Sequence, residues 1–94
     1  MKLTEQQKEI LLIAQEECAE VTQAISKTFR FGLLESYNEK TNQERLEEEV
    51  GDLVCMIELM KDTGIIDPEF VRRASIKKRN KLEQWSNIFN KEAA

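Results

Sequence analysis

The sequence predicts an all-α fold of about three main helices, and three observations predict it. Glycine and proline, the residues that interrupt helices, number only three and one in a chain of 94. Apolar residues recur at helical spacing along the long segments, and nothing alternates with period two over a useful length, so no sheet is expected. Two stretches, Thr4-Glu5-Gln6-Gln7 and Thr41-Asn42-Gln43-Glu44, fit the capping box, in which a threonine hydroxyl and a Glu or Gln three residues on satisfy each other's backbone N–H.

The first helix is expected from near Thr4 to about Phe29, with Gly32 as its stop. Leu33 to Lys40 is polar and charged and reads as a loop. The second capping box opens a helix to about Asp62, and Gly64 ends it. Asp67-Pro68-Glu69 supplies an N-cap, a proline at the first helical position and an acid near the positive end of the helix dipole. The third helix then runs to about Trp85, and the last residues are expected to fray.

The length points to one domain, 1–94. A chain this small buries only about 60–65% of its unfolded surface, so association would help it. Charged residues make up 34% and the net charge is −4, which disfavours nucleic acid as a partner, because duplex binding relies on clustered Lys and Arg. No apolar run approaches the roughly 20 residues that span a bilayer, and the N-terminus lacks a signal-peptide pattern. The expected location is the cytoplasm, with Cys18 and Cys55 as buried thiols rather than a disulfide. Histidine is absent. That removes Ser-His-Asp catalysis, ordinary zinc hydrolase sites and the Glu-x-x-His di-iron motif.

On a helical wheel, Ile10, Ile13, Ala14, Val21 and Ala24 share one arc of the first helix. Glu17 and Glu20 fall inside it and Glu16 at its edge. In the second helix Leu46, Val50, Leu53, Met56, Ile57 and Met60 form the apolar arc, Glu49 lies within it and Asp52 borders it. Glu5, Glu9, Glu47, Glu48 and Glu58 fall outside and read as solvated charges. An unpaired buried carboxylate costs several kcal/mol, against a total domain stability of about 5–15 kcal/mol. The inward acids must therefore be protonated, paired with Lys or Arg, or holding metal. Few basic residues share their stripes, and shared protons neutralise only one or two acids. An all-oxygen donor set suits magnesium or manganese better than zinc, and no EF-hand pattern points to calcium.

Glu16-Glu17-Cys18-Ala19-Glu20 matches Glu-Glu-x-x-Glu, and Glu49-Val50-Gly51-Asp52 matches Glu-x-x-Asp one helix later. Together they resemble the signature of the all-α nucleoside triphosphate pyrophosphatases, the superfamily of MazG, the dimeric dUTPases and the dCTP pyrophosphatases. The flanks Ala24-Ile25-Ser26-Lys27, Arg30-Phe31-Gly32, Lys81-Leu82 and Trp85 are similar to small MazG-like proteins of phages and mobile elements, which would place the chain in the host cytoplasm. The resemblance covers roughly residues 8–86. It implies Glu17, Glu20, Glu49 and Asp52 as magnesium ligands, with manganese as a substitute. Glu16 would bind a further metal or orient the attacking water, which makes Glu16 and Glu17 the catalytic pair. It further implies attack at the α-phosphorus of a nucleoside triphosphate with loss of pyrophosphate, and a homodimer or homotetramer whose subunits complete four-helix bundles. Some phage relatives prefer purine deoxynucleotides, so dGTP or GTP is the first substrate to try.

The third helix carries Lys77, Lys78, Arg79, Asn80 and Lys81, either a solvated face or a triphosphate contact. The resemblance favours Lys78 and Lys81 with Asn80 beside them, and Lys27 and Arg30 as further candidates. Trp85 either closes the small core or stacks on a base, and Phe29 and Phe31 are expected to pack at the helix end. Two competing readings stay open. One is a non-catalytic helical interaction or regulatory module. The other is a hydrolase of a different nucleotide, such as dUTP, dCTP or phosphoribosyl-ATP.

Overall fold

A computed structural model of the protein describes residues 2–90. The order of elements is α1 (Glu5–Phe31), β1 (Ser36–Tyr37), β2 (Lys40–Thr41), α2 (Asn42–Asp62) and α3 (Pro68–Trp85). Both capping boxes form as the sequence predicts: Gln7 and Glu44 each exchange bonds with the N-cap threonine. Asp67 caps α3, accepting from the Glu69 N–H at 3.0 Å. Ser86–Asn90 continue as a short turn, bonded Ser86 N to Leu82 O and Asn90 N to Asn87 O. The expected fraying concerns in part residues 91–94, which lie outside the described ones.

α1 and α2 pack antiparallel, and a side-chain amide clasps each end of the pair. Gln7, buried, donates from Nε2 to the Thr63 carbonyl at 2.8 Å. Asn42, also buried, donates from Nδ2 to the Gly32 carbonyl at 2.8 Å. Between the clasps Ile10 and Ala14 meet Met56, with Met60 and Ile65 packed against them.

The expectation of no sheet is corrected in one place. Residues 36–41 form a two-stranded antiparallel ribbon, Ser36 opposite Thr41 and Tyr37 opposite Lys40. Its turn residues Asn38 and Glu39 hold φ of 51° and 69°, the positive values that two-residue hairpins demand. Strands of two residues are too short to show alternation, which is why the segment reads as loop. Arg45 secures the ribbon, donating to the Tyr37 carbonyl at 2.5 Å with its guanidinium 5.9 Å over the Tyr37 ring.

The core is smaller than the apolar arcs imply. Of the α1 arc, Ile10, Ala14 and Ala24 are buried while Ile13 is exposed. Cys18 and Cys55 are free and exposed, not buried. Phe29, Phe31 and Trp85 are exposed as well, so neither the aromatic packing at the helix end nor a core role for Trp85 is found within the chain. α3 buries no residue. The physical reason is the shape: the molecule measures 45 × 39 × 15 Å, and 15 Å is barely more than one layer of helices. Its accessible surface is 7804 Å², against about 5,600 Å² for a folded monomer of this mass. Among the described residues no helix is long and apolar enough to cross a membrane.

Candidate metal centre

The clasps at the two ends set the register of α1 against α2, and that register decides which acids face each other. Glu17 on α1 and Glu49 and Asp52 on α2 each offer a carboxylate oxygen, and these oxygens lie within 4.8 Å of one another. Glu17 and Glu49 are half-buried and Asp52 is exposed. Glu49 and Asp52 sit three residues apart, hence on one face of α2.

The electrostatics follow from the crowding. Burial first, then the negative charges of Asp52, Glu49, Glu20 and Glu16, hold the Glu17 carboxyl above its ordinary pKa of 4.5. Glu20 and Glu16 are exposed, so Glu20 projects less inward than the wheel implies, although it is close enough to act on Glu17.

The pairing alternative fails on inspection. The ion pairs among the described residues are Lys8–Glu5, Lys40–Glu48, Lys61–Glu58 and Arg72–Glu69. Glu16, Glu17, Glu20, Glu49 and Asp52 take part in none of them. The acids read from sequence as solvated include Glu5, Glu48 and Glu58, which are the ones that meet lysines. The two classes of carboxylate thus differ in partner as well as in face.

The donor set of the inner group is all oxygen, without nitrogen or sulfur within it. Carboxylates converging from two helices fit a hard divalent cation, for which they serve as charge-neutralising ligands. Among the described residues no Lys or Arg pairs with them. Relief of the mutual repulsion at Glu17 is what such an ion would supply.

The family model of the MazG nucleotide pyrophosphohydrolase domain matches residues 5–85. The chain belongs to this family. Neither the comparison with curated proteins nor that with solved structures gives a match. Membership brings with it a hydrolase activity, nucleotide pyrophosphohydrolysis, and a family that is generally metal-dependent. The resemblance read from the two acidic motifs is thereby borne out, as is the all-α fold.

The remaining sequence candidates of this MazG chain are scattered. Lys78, Asn80 and Lys81 are exposed on α3, a helix without a buried residue, so intrachain packing does not seat them on the carboxylate group. Arg30 lies 5.0 Å over the Phe31 ring. Lys27 lines a cleft with Phe31, Glu35, Tyr37, Asn42 and Arg45. Sequence reading missed that cleft's other walls. The available signal was Asn38 beside Glu39, a hairpin turn weakened by the lack of glycine.

Proposed function

We propose that this MazG chain, acting as a single domain over 1–94, is a magnesium-dependent nucleoside triphosphate pyrophosphohydrolase, with manganese as a substitute metal and dGTP or GTP as favoured substrates. The observation that carries the reading is the group Glu17, Glu49 and Asp52, convergent and without a cationic partner among the described residues.

In this reading Glu17, Glu49 and Asp52 would hold the ion, with Glu20, one turn on from Glu17, as the fourth carboxylate. Magnesium, when bound, neutralises charge developing on the phosphate oxygens. Glu16 accepts the hydrogen bond that turns the attacking water's lone pair toward the α-phosphorus, and takes the proton the water gives up as the new bond forms. The P–O bond to the β-phosphate breaks as the new P–O bond forms, and pyrophosphate leaves with the nucleoside monophosphate as second product. Positioning and charge compensation do the catalytic work, so a chain without histidine suffices.

We further read the active form as a homodimer or homotetramer. The accessible surface exceeds the monomer expectation by about 2,000 Å², the area that obligate interfaces cover. Exposed Ile76, Phe70 and Trp85 on α3, and Val50 and Val54 on α2, are the apolar residues it would cover. Association would also let Lys78, Asn80 and Lys81 of α3 approach the triphosphate of a neighbouring copy.

The test is to incubate the protein with each ribo- and deoxyribonucleoside triphosphate and magnesium and to identify the products. Pyrophosphate and monophosphate are expected. Orthophosphate alone would overturn attack at the α-phosphorus, and no turnover together with no magnesium-dependent rise in melting temperature would favour a non-catalytic helical module.

A further inference from the structure

α1 carries two heptad stripes side by side. The first meets α2 within the chain: Ile10 and Ala14 pack on Met56, and Glu17 faces Glu49 and Asp52. The second is Leu11, Gln15, Cys18, Thr22, Ile25 and Phe29, at spacings of 4, 3, 4, 3 and 4. α2 repeats the arrangement: Leu46, Val50, Leu53 and Ile57 run beside the stripe of Glu49 and Met56 that faces α1. None of these ten residues is charged, in a chain that is 34% charged, and every one is exposed or half-buried. A solvated face of this chain looks different. The stripe on the opposite flank of α1 holds Glu9, Glu16, Glu20 and Lys27. A heptad run without charge is the pattern of a seam that another helix fills. A helix with two adjacent seams has two helical neighbours, the situation of a bundle. Here α1 has one.

The two unfilled seams lie on one side of the pair. In an antiparallel pair, stripes displaced in the same rotational sense from the shared seam fall on the same side. The opposite side is marked by Lys27 of α1 and Arg45 of α2, which line one cleft, and by Glu16, Glu20 and Asp52. The pair thus has a carboxylate side and a chargeless side. The two free, exposed thiols are divided between them. Cys18 belongs to the chargeless stripe, whereas Cys55, three residues on from Asp52, belongs to the carboxylate side.

A second copy is the occupant this side fits. An uncharged heptad seam calls for another one opposite, and a two-fold axis presents the same patch from both partners. Residues 11–29 span about 27 Å of helix, and two packed helices are about 20 Å wide, so the side offers roughly 500 Å² in projection, the scale of a standard interface at about 800 Å² of accessible surface per partner. Resting on the reading of the active form as an assembly, we propose that two copies join through this chargeless side, helix pair against helix pair, with Cys18 inside the seam and the carboxylate side left open to substrate.

The thiols report the seam. At a concentration where light scattering finds the assembly, maleimide labels Cys18 about tenfold or more slowly than it does in the separated chain, because Cys18 reacts only when the copies part. Val50→Glu and Val54→Glu, in and beside the stripe at exposed positions, lower the mass toward 11.0 kDa and release Cys18 to the faster rate. Cys55 stays within a factor of about two throughout, since its access does not change. Circular dichroism checks that the variants keep their helices, and dilution of the unsubstituted chain gives the same comparison without a substitution. Glu9→Lys, on the charged flank, leaves the mass and both rates as they were. An assembled protein in which Cys18 labels as fast as in the variants, or one parted by Glu9→Lys and not by Val50→Glu, overturns the seam and leaves the assembly standing. A chain that is monomeric at every concentration sinks both, and pyrophosphate release by such a monomer would leave only the metal-centre reading.

Discussion

Asn42 donates from Nδ2 to the carbonyl oxygen of Gly32 at 2.8 Å, and so ties the first residue of α2 to the residue that ends α1. Gln7 makes the matching bond to Thr63 at the other end. Removing a buried partner leaves the carbonyl unsatisfied, so Asn42→Ala and Gln7→Ala should each lower unfolding stability by about 1–3 kcal/mol. The clasps lie at opposite ends of α1, so urea titrations should find the two effects additive within about 0.5 kcal/mol. A double variant no less stable than either single one would show that the clasps do not act independently.

Burial and the neighbouring carboxylates hold the Glu17 carboxyl above its ordinary value. Glu17→Gln should raise the melting temperature of the metal-free protein, because it removes a charge held against burial and like charges. The same substitution should lower turnover by about 100-fold or more, at the upper end of what loss of a group supporting a metal site costs, and abolish the magnesium-dependent rise in melting temperature. Opposite signs on metal-free stability and on activity are the signature to look for. A fall in both would mean that Glu17 has a structural partner.

The capping box of α2 gives a dependence on pH. Hydrogen bonds from the Thr41 backbone and then its hydroxyl, with Lys40 and Arg45 adding to them, hold the Glu44 carboxyl below its ordinary 4.5. A carboxylate lowered on folding contributes stability that is fully present above 4.5 and is lost as pH falls from there through the depressed folded value. Glu44→Gln should therefore destabilise at neutral pH, and the difference from the unsubstituted chain should narrow on acidification. Urea midpoints at neutral pH and well below 4.5 measure this, and a gap that stays constant would exclude Glu44 as its source.

The thinness of the fold gives a mass. Light scattering should return two or four times the 11.0 kDa of the chain. Ile76→Glu, placing a charge on the exposed apolar side of α3, should shift the population toward the monomer and reduce turnover in parallel. A fully active monomer would separate α3 from the assembly.

How far the sequence reached depended on whether the deciding contacts were local. Thr4 with Gln7 and Thr41 with Glu44 are separated by three residues, and both capping boxes were legible because the pattern and the contact occupy the same stretch. Glu17, Glu49 and Asp52 were legible as a group because a wrong-faced acid on an apolar stripe is a one-helix observation, repeated twice. Glu20 was placed too far inward, since the wheel assumes a core on the whole arc whereas one facing helix shields only part of it. Cys18, Cys55, Phe29, Phe31 and Trp85 were expected inside from residue type alone, and they are exposed because α1 and α2 give the chain too little interior to take them. The cleft under the hairpin escaped notice because its walls are assembled from α1, the ribbon and α2, joined through Arg45 and Tyr37, a pairing that no periodicity announces.

A slab 15 Å thick has two wet faces and scarcely an inside, so assembly, as proposed, would tie catalysis to abundance. In the proposed assembly, dilution weakens the fold and the active site in the same step. A substitution on an outward apolar side chain, remote from any carboxylate, would then read as an enzymatic defect in a dilute assay and vanish in a concentrated one.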